Sequence, residues 1–246
     1  MPMSARQVAI VLYPGMTALD AIGPYEVLRF LPGAQVRLVG HDVGPVLTDS
    51  GVLALGVTHT FEETPAPHII VVPGGPAAPG VAGDQRVLDW LRSAHDRAEW
   101  TTSVCTGSLI LAGAGLLDGK PATTHWAARS ALAMMGARPQ REERVVRSDT
   151  GIVTAAGVSA GIDMALWLVG EIEGPKRAQT IQLDIEYDPH PPFDAGHPSK
   201  ADISVRRASL ADQARLLRAF TPGELARAVG GTQRALWRGV LRRARG

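Results

Sequence analysis

A single cysteine, Cys105, is the residue of this chain whose type and setting most directly indicate chemistry. It lies in the stretch Trp-Thr-Thr-Ser-Val-Cys-Thr-Gly-Ser-Leu-Ile-Leu-Ala-Gly, where apolar and β-branched residues predict a buried strand and small helix formers predict a following helix. The Cys-Thr-Gly junction leaves room only for a sharp turn. A thiol at that turn would lie beside a helix N-terminus, whose free N–H groups and positive dipole end favour the thiolate. We therefore predict a cysteine nucleophile; the alternative is a lone cysteine that only fills space in the core.

Asp20 is the carboxylate that could work with this thiol. It lies on the segment that leads from the first predicted strand into the first predicted helix. If it points toward Cys105, it could act as a general acid/base and share one proton with the thiol. The alternative is a helix N-terminal residue that the dipole favours.

Backbone and polar groups near these two residues could complete a binding site. Gly74 and Gly75 follow another predicted strand, and without a Cβ their N–H groups can approach a ligand closely. Together with the N–H of Thr106 they would form an anion-stabilising pocket, while the Thr106 hydroxyl could bond the substrate or thiolate, or only cap its helix. His125 could orient a base or donate to the site, or be a hydrogen-bonded structural residue. Neither metal-ligand spacing nor a phosphate-binding glycine motif occurs, so we predict no metal and no cofactor.

Strand and helix patterns alternate along the first three quarters of the chain, which predicts a parallel sheet covered by helices on both faces. Because sites in such sheets form at the carboxyl ends of the strands, the loops after Leu12, Val72 and Val104 should meet. The predicted strands are 7–12, 34–40, a pair within 45–55, 68–72, Trp100–Val104, a short strand from 122, and a hairpin of 144–148 with 151–154; the predicted helices are 20–30 (beginning near Gly23-Pro24), 87–99, 108–117, 130–135 and 161–173.

Composition places the chain among ordinary soluble globular proteins. Of its 246 residues, 45% are hydrophobic and 20% are charged, and no apolar run is long enough for a membrane span. The N-terminus lacks a signal-peptide layout, and one cysteine allows no disulfide within the chain. We therefore expect a cytoplasmic protein without a membrane partner.

The charge is divided unevenly between two parts of the chain. Residues 1–200 carry a net charge of −6, whereas residues 201–246 carry ten arginines and a net charge of +7. We predict an α/β domain over 1–200 and a basic helical extension over 201–246. Residues 224–238 have the glycine spacing of one helix-turn-helix, so binding to nucleic acid is open. The stronger alternative is an arginine-faced helix pair that lies on the body or on a dimer partner.

Several motifs resemble the ThiJ/PfpI superfamily. They are Val-x-Pro-Gly-Gly at 71–75, Ser-Val-Cys-Thr-Gly at 103–107, Gly-Leu-Leu-Asp-Gly at 115–119 and Ala-Thr-Thr-His-Trp at 122–126. Two further stretches, 12–26 and 186–196, are similar to the isonitrile (isocyanide) hydratase branch of that superfamily. The resemblance runs from about residue 7 to residue 200.

The resemblance implies a flavodoxin-like three-layer sandwich, a homodimer, and a nucleophile elbow that carries Cys105. In this branch the cysteine attacks the terminal carbon of an isonitrile and forms a thioimidate, the carboxylate at the position of Asp20 manages protons and water, and the threonine at the position of Thr106 contacts the site. Hydrolysis then releases an N-substituted formamide without a cofactor. The protease-like branch has histidine in place of Thr106, and glyoxalase-type members have glutamate in place of Asp20, so those activities are not expected.

Two other functions stay open at this point. A related branch joins this fold to AraC-type DNA-binding domains, which would make the chain a transcriptional regulator or ligand sensor. Alternatively, an enzyme of secondary metabolism could use the same Cys/Asp pair for another addition or dehydration. DNA binding would favour the former; rapid alkylation of Cys105 with turnover of an isonitrile would favour the hydratase.

Overall fold

The computed structural model describes residues 5–148 and 151–219. Their strands are β1 (Arg6–Val11), β2 (Ala34–Gly40), β3 (Gly44–Leu47), β4 (Ala54–Val57), β5 (His59–Thr60), β6 (Ile69–Val72), β7 (Trp100–Val104), β8 (Pro121–Ala122), β9 (Arg138–Pro139), β10 (Val145–Arg147) and β11 (Ile152–Ala155). The helices are α1 (Ala18–Leu28), α2 (Ala78–Val81), α3 (Gln85–His95), α4 (Gly107–Gly113), α5 (Arg129–Met134), α6 (Ala160–Glu173), α7 (Pro175–Asp184) and α8 (Ile203–Ala219), with a 3₁₀ turn at Trp126–Ala128.

Seven strands form the central sheet in the order β10-β11-β7-β6-β1-β2-β5. All pairings are parallel except that of β10 with β11. The hairpin β3–β4 and the pair β8–β9 stand outside this sheet. The predicted three-layer sandwich with a mostly parallel sheet is therefore confirmed.

The central strands are apolar because helices cover both of their faces. All four residues of β6 are buried, and so are the last four residues of β1. On one face α3 buries an apolar stripe and is capped by Asp84, whose side chain accepts hydrogen bonds from the N–H groups of Arg86 and Val87. On the other face α1 packs against α6. These layers hold the carboxyl ends of β1, β6, β7 and β11 side by side.

The first helix differs from its prediction, because it begins at Ala18 and places Pro24 in its interior. Proline cannot donate the hydrogen bond to the carbonyl of Asp20, four residues earlier. Tertiary packing stabilises the arrangement: α6 has a glycine, Gly161, opposite Pro24, and a Cβ on that glycine would lie 3.1 Å from Pro24 Cγ. The helix start near Gly23-Pro24 was therefore wrong, and Asp20 is already inside the first turn of α1.

The short strand predicted from residue 122 is also smaller than expected. It ends at Ala122, because the next residues bond outside any ladder: the N–H of Thr123 donates to Thr154 Oγ1, and Thr124 Oγ1 donates to the carbonyl of Cys105 (2.8 and 3.0 Å). The helix after Cys105 ends at Gly113 rather than Leu117.

The part of the extension that the structure describes is a single helix, α8. It exposes four large apolar side chains: Ile203, Val205, Leu210 and Leu216. The helix-turn-helix pattern at 224–238 lies outside the described residues. Within the described ranges, every helix is too short or too polar to cross a membrane.

Candidate active site

Three loops at the carboxyl edge of the sheet come together, as predicted from the strand order. The N–H of Thr17, after β1, donates to the carbonyl of Gly74, after β6 (2.9 Å). The buried Tyr13 hydroxyl donates to the carbonyl of Pro73 (2.8 Å). Thr106, after β7, bonds the backbone of Gly75. The loops are therefore fixed to one another by hydrogen bonds.

Cys105 occupies a strained turn between β7 and α4. Its φ of 57° lies in the left-handed region, which non-glycine residues rarely adopt. Several bonds hold this conformation: the Cys105 N–H donates to the carbonyls of Ala155 (3.2 Å) and Ala156 (2.9 Å), and its own carbonyl accepts from Thr124 and Ser108. The side chain is nearly buried, so surrounding structure determines what can reach the sulfur.

Asp20 lies beside this thiol and is completely buried. Its Oδ2 accepts a hydrogen bond from the N–H of Gly74 (2.9 Å), whereas no described group bonds Oδ1 in good geometry. Burial raises the pKa of Asp20 from 3.8 to about 7; hydrogen bonds from Gly74 and Cys105 oppose this shift, and the charge of Asp49 adds to it. Asp20 therefore holds or releases a proton near neutral pH.

Burial also opposes ionisation of the cysteine. It raises the pKa of the Cys105 thiol well above its ordinary value, and the adjacent Asp20 charge raises it further. Hydrogen bonds from Val158, from the Thr106 backbone and from the Thr106 side chain lower it, but by less. The donors at the helix end therefore favour the thiolate as predicted, but burial and the Asp20 charge oppose it more strongly, so the predicted free thiolate must be corrected. The prediction of a shared proton fits this pair, because each group resists ionisation beside the other.

The two glycines serve a different purpose from the one predicted. The N–H of Gly74 is bonded to Asp20, and the N–H of Gly75 donates to Thr106 Oγ1 (2.8 Å). Neither N–H is open to a ligand, so the predicted anion pocket must be corrected: these donors hold the site's own side chains. A side chain at Gly74 is impossible without movement, since a Cβ would lie 2.4 Å from the Thr106 nitrogen.

Thr106 connects the cysteine turn to the glycine loop. Its Oγ1 accepts from the Gly75 N–H and donates to the Gly75 carbonyl (2.9 Å). The Thr106 side chain makes no capping hydrogen bond to α4, so the alternative that it only caps this helix is wrong. Together with the Val158 N–H, the Thr106 N–H is one of the backbone donors that act on the sulfur.

His125 lies at the margin of this arrangement. Its Nδ1 accepts from the Ala127 N–H (3.4 Å), and its ring packs over Gly157, where a Cβ would lie 2.7 Å from His125 Cδ2. Burial, and then the charge of Arg129, lower the pKa of His125. The described contacts give it a structural position against the loop that carries Val158, and none joins it to Asp20 or Cys105.

Sequence reasoning did not find three residues near the pair. Val158 follows β11, whose carboxyl end lies at the same edge, so the strand-order rule could have identified that loop. Tyr13 and Asp49 act electrostatically with the pair. Asp49 comes from the hairpin β3–β4, and no local pattern predicted that its tip reaches the site. Among the described residues, no cluster of histidine, cysteine and carboxylate side chains could hold a metal ion.

Comparison with known proteins places this geometry in a known family. The DJ-1/PfpI family matches residues 6–171. The chain is 47% identical to the isonitrile hydratase of Pseudomonas putida over 201 residues, which cover 82% of this chain and 87% of that protein. A crystal structure of a ThiJ/PfpI family protein from Pseudomonas syringae is 41% identical, with a TM-score of 0.81 and 92% of each chain covered. The chain is also 29% identical to the HTH-type transcriptional regulator CdhR of Pseudomonas aeruginosa, over 70% of this chain and 52% of the regulator.

Proposed function

The chain belongs to the DJ-1/PfpI family, and from that premise we propose that it is a cofactor-independent hydratase that converts an isonitrile into an N-substituted formamide through Cys105. The observation that carries the proposal is the buried pair of Cys105 and Asp20, in which burial and mutual repulsion retain a proton near neutral pH. The 47% identity to an isonitrile hydratase supports the substrate class.

Addition of a thiol to an isonitrile needs a nucleophile and a proton at the same carbon. In the first step the Cys105 sulfur bonds to the terminal carbon, and the proton of the pair is transferred to that carbon, giving R–N=CH–S–Cys. A dissociated thiolate alone would supply the nucleophile but not the proton. The raised pKa of both groups therefore suits the reaction, because the pair keeps the proton that the carbon must receive.

Hydrolysis completes the cycle with Asp20 as the base. Water attacks the thioimidate carbon, and Asp20 accepts one proton of the water and passes it to the nitrogen. The C–S bond then breaks, the remaining hydroxyl proton returns through Asp20 to the Cys105–Asp20 pair, and R–NH–CHO leaves. Oδ1 of Asp20 makes no hydrogen bond in the described structure, which supports it as the oxygen that accepts that proton. The Val158 and Thr106 N–H groups stabilise negative charge on the sulfur during both steps.

Intact-protein mass spectrometry tests the covalent step. The protein is mixed with phenyl isonitrile and with cyclohexyl isonitrile, and the reaction is stopped in acid within seconds. A thioimidate increases the protein mass by the full mass of the isonitrile, since nothing leaves. Asp20→Asn should accumulate this adduct, and Cys105→Ser should form none. Formamide production without any adduct in Asp20→Asn, or by Cys105→Ala at the parent rate, would contradict the mechanism.

A regulatory function is the second candidate, and the match to the regulator CdhR favours it. In that case the pair would bind or sense a small ligand, and the basic extension would contact DNA. A gel-shift titration at several salt concentrations measures this, because phosphate contacts make binding weaken steeply with salt. Absence of any shift at low salt, together with isonitrile turnover, would exclude regulation in favour of the enzyme.

A further inference from the structure

A further segment lies close to the Asp20–Cys105 pair: the tip of the hairpin β3–β4. Three hydrogen bonds join this tip to the loop before α1. The Gly15 N–H donates to the Leu47 carbonyl (2.9 Å), the Asp49 N–H donates to the Met16 carbonyl (2.9 Å), and Thr17 Oγ1 donates to Asp49 Oδ2 (2.6 Å). The hairpin belongs to no other sheet, and these hydrogen bonds join its tip to the site.

We propose that Asp49 is a positioning residue for Asp20: through Thr17 it fixes the start of α1, and its carboxylate places a negative charge beside the buried pair. Thr17 is the residue that precedes α1, and its side chain makes no cap bond to the helix. The Thr17 hydroxyl instead bonds Asp49, and Thr17 lies three residues before Asp20 in the chain. The expected effect of Asp49 on the pH dependence of hydration rests on the proposed function.

The electrostatic part follows from the groups that face Asp20. They are Tyr13 after β1, Cys105 after β7 and Asp49 on the hairpin. The helix packed on α1, α6, presents apolar atoms there, such as those of Ile162 opposite Gly23. Burial is the main cause that raises the pKa of both Asp20 and Tyr13, and the negative charge of Asp49 adds to both shifts. Asp49 therefore helps Asp20 to keep a proton at neutral pH.

This effect has a chemical use in the proposed reaction. The first step consumes a proton from the pair, so a higher proton occupancy of Asp20 extends activity to higher pH. Asp49 itself is half-buried and bonded to Thr17, so it is placed to tune the pair without touching the substrate. Its removal should move the pH profile rather than abolish turnover.

Carboxyl-carbon NMR of aspartate-labelled protein measures the titration of Asp20 without any substrate. Asp49→Asn keeps an oxygen that can accept from Thr17 and removes the charge. We expect it to lower the Asp20 titration midpoint by about half a pH unit or more. Asp42→Asn is the matched control, because it removes the same charge from an exposed residue just before the hairpin and should leave the midpoint unchanged.

Further variants separate charge from hydrogen bonding. Asp49→Glu restores the charge and should return the midpoint toward that of the parent, whereas Asp49→Ser is a second uncharged variant if Asp49→Asn does not fold. The alkaline limb of the hydration profile should move with the midpoint. A parent-like midpoint in the uncharged variants, or an equal shift in Asp42→Asn, would overturn the proposal. Failure to hydrate any isonitrile would contradict the proposed function, whereas the effect of Asp49 on the Asp20 titration midpoint would still stand.

Discussion

The carboxyl edge of the central sheet and the segment after α6 are held in very different ways. At the sheet edge, Cys105 and Asp20 are buried, Asp20 accepts a hydrogen bond from Gly74, and the hairpin β3–β4 is bonded to the loop before α1. After α6, the helix α7 still buries Ile181, but most residues from 186 to 216 are exposed, including Phe193 at 81%. One region is determined by many contacts and the other by few.

The difference indicates where this chain places its chemistry. Strained backbone and a buried charge persist only where surrounding structure holds them, and both occur at the sheet edge. The exposed segment carries apolar side chains and arginines without comparable contacts, as expected for a surface that meets another molecule. The family match, residues 6–171, covers the first region and ends before the second. Four changes test this contrast, in order of expected effect.

Replacement of the cysteine should have the largest effect. Cys105→Ala and Cys105→Ser are both expected to lower isonitrile hydration at least about a thousandfold, because no other described thiol can form the covalent bond. The serine variant should retain the parent's thermal unfolding temperature, which separates lost chemistry from lost folding. Hydration by either variant within tenfold of the parent rate would contradict a covalent mechanism.

Asp20→Asn should lower turnover about a hundredfold and change how stability depends on pH. Since burial raises the pKa of Asp20 from 3.8 to about 7, the folded state binds a proton that the unfolded chain releases. The free energy of unfolding of the parent should therefore fall as pH rises from about 4 to about 7, by on the order of 3 kcal/mol more than that of Asp20→Asn. Urea unfolding at several pH values measures this, and equal pH dependences would show that burial does not raise the pKa of Asp20.

Gly74→Ala should damage the site through packing alone. The added Cβ would overlap the Thr106 backbone, so we expect a loss of about 1–3 kcal/mol in unfolding free energy and reduced turnover. Gly56→Ala is the control, because no atom lies within 4 Å of a Cβ there. If both substitutions behave alike, the close approach of the two loops is not needed.

Deletion of residues 203–246 should have the smallest effect on chemistry. We expect kcat to stay within about twofold while stability or dimer formation decreases, since no described residue of the deleted part lies around the pair. Sedimentation equilibrium and a hydration assay on the same preparation measure both. A dimer that is unchanged and fully stable would show that the extension serves some other purpose. A large fall in kcat would show that the extension contributes to the chemistry at the sheet edge.

Much of this arrangement is predictable from local sequence. The apolar runs of β1, β6 and β7, the turn at Cys105 and the loops that meet at the sheet edge all follow from residue patterns and the rule for parallel sheets. The reach of Asp49 to Thr17 does not, because a contact across 32 positions depends on where the hairpin folds back. The interior position of Pro24 was missed for a similar reason: the space for its ring comes from Gly161, far away in the chain.

By itself, the sequence determined the strands of the sheet, the cysteine turn and a carboxylate on the segment after the first strand, because each depends on neighbouring residues. Only the tertiary structure decided the protonation of the site. Whether a thiol and a carboxyl group lose or keep their protons depends on solvent exclusion and on charges from distant segments, and Asp20, Cys105 and Asp49 acquire these surroundings only when separate parts of the chain pack together.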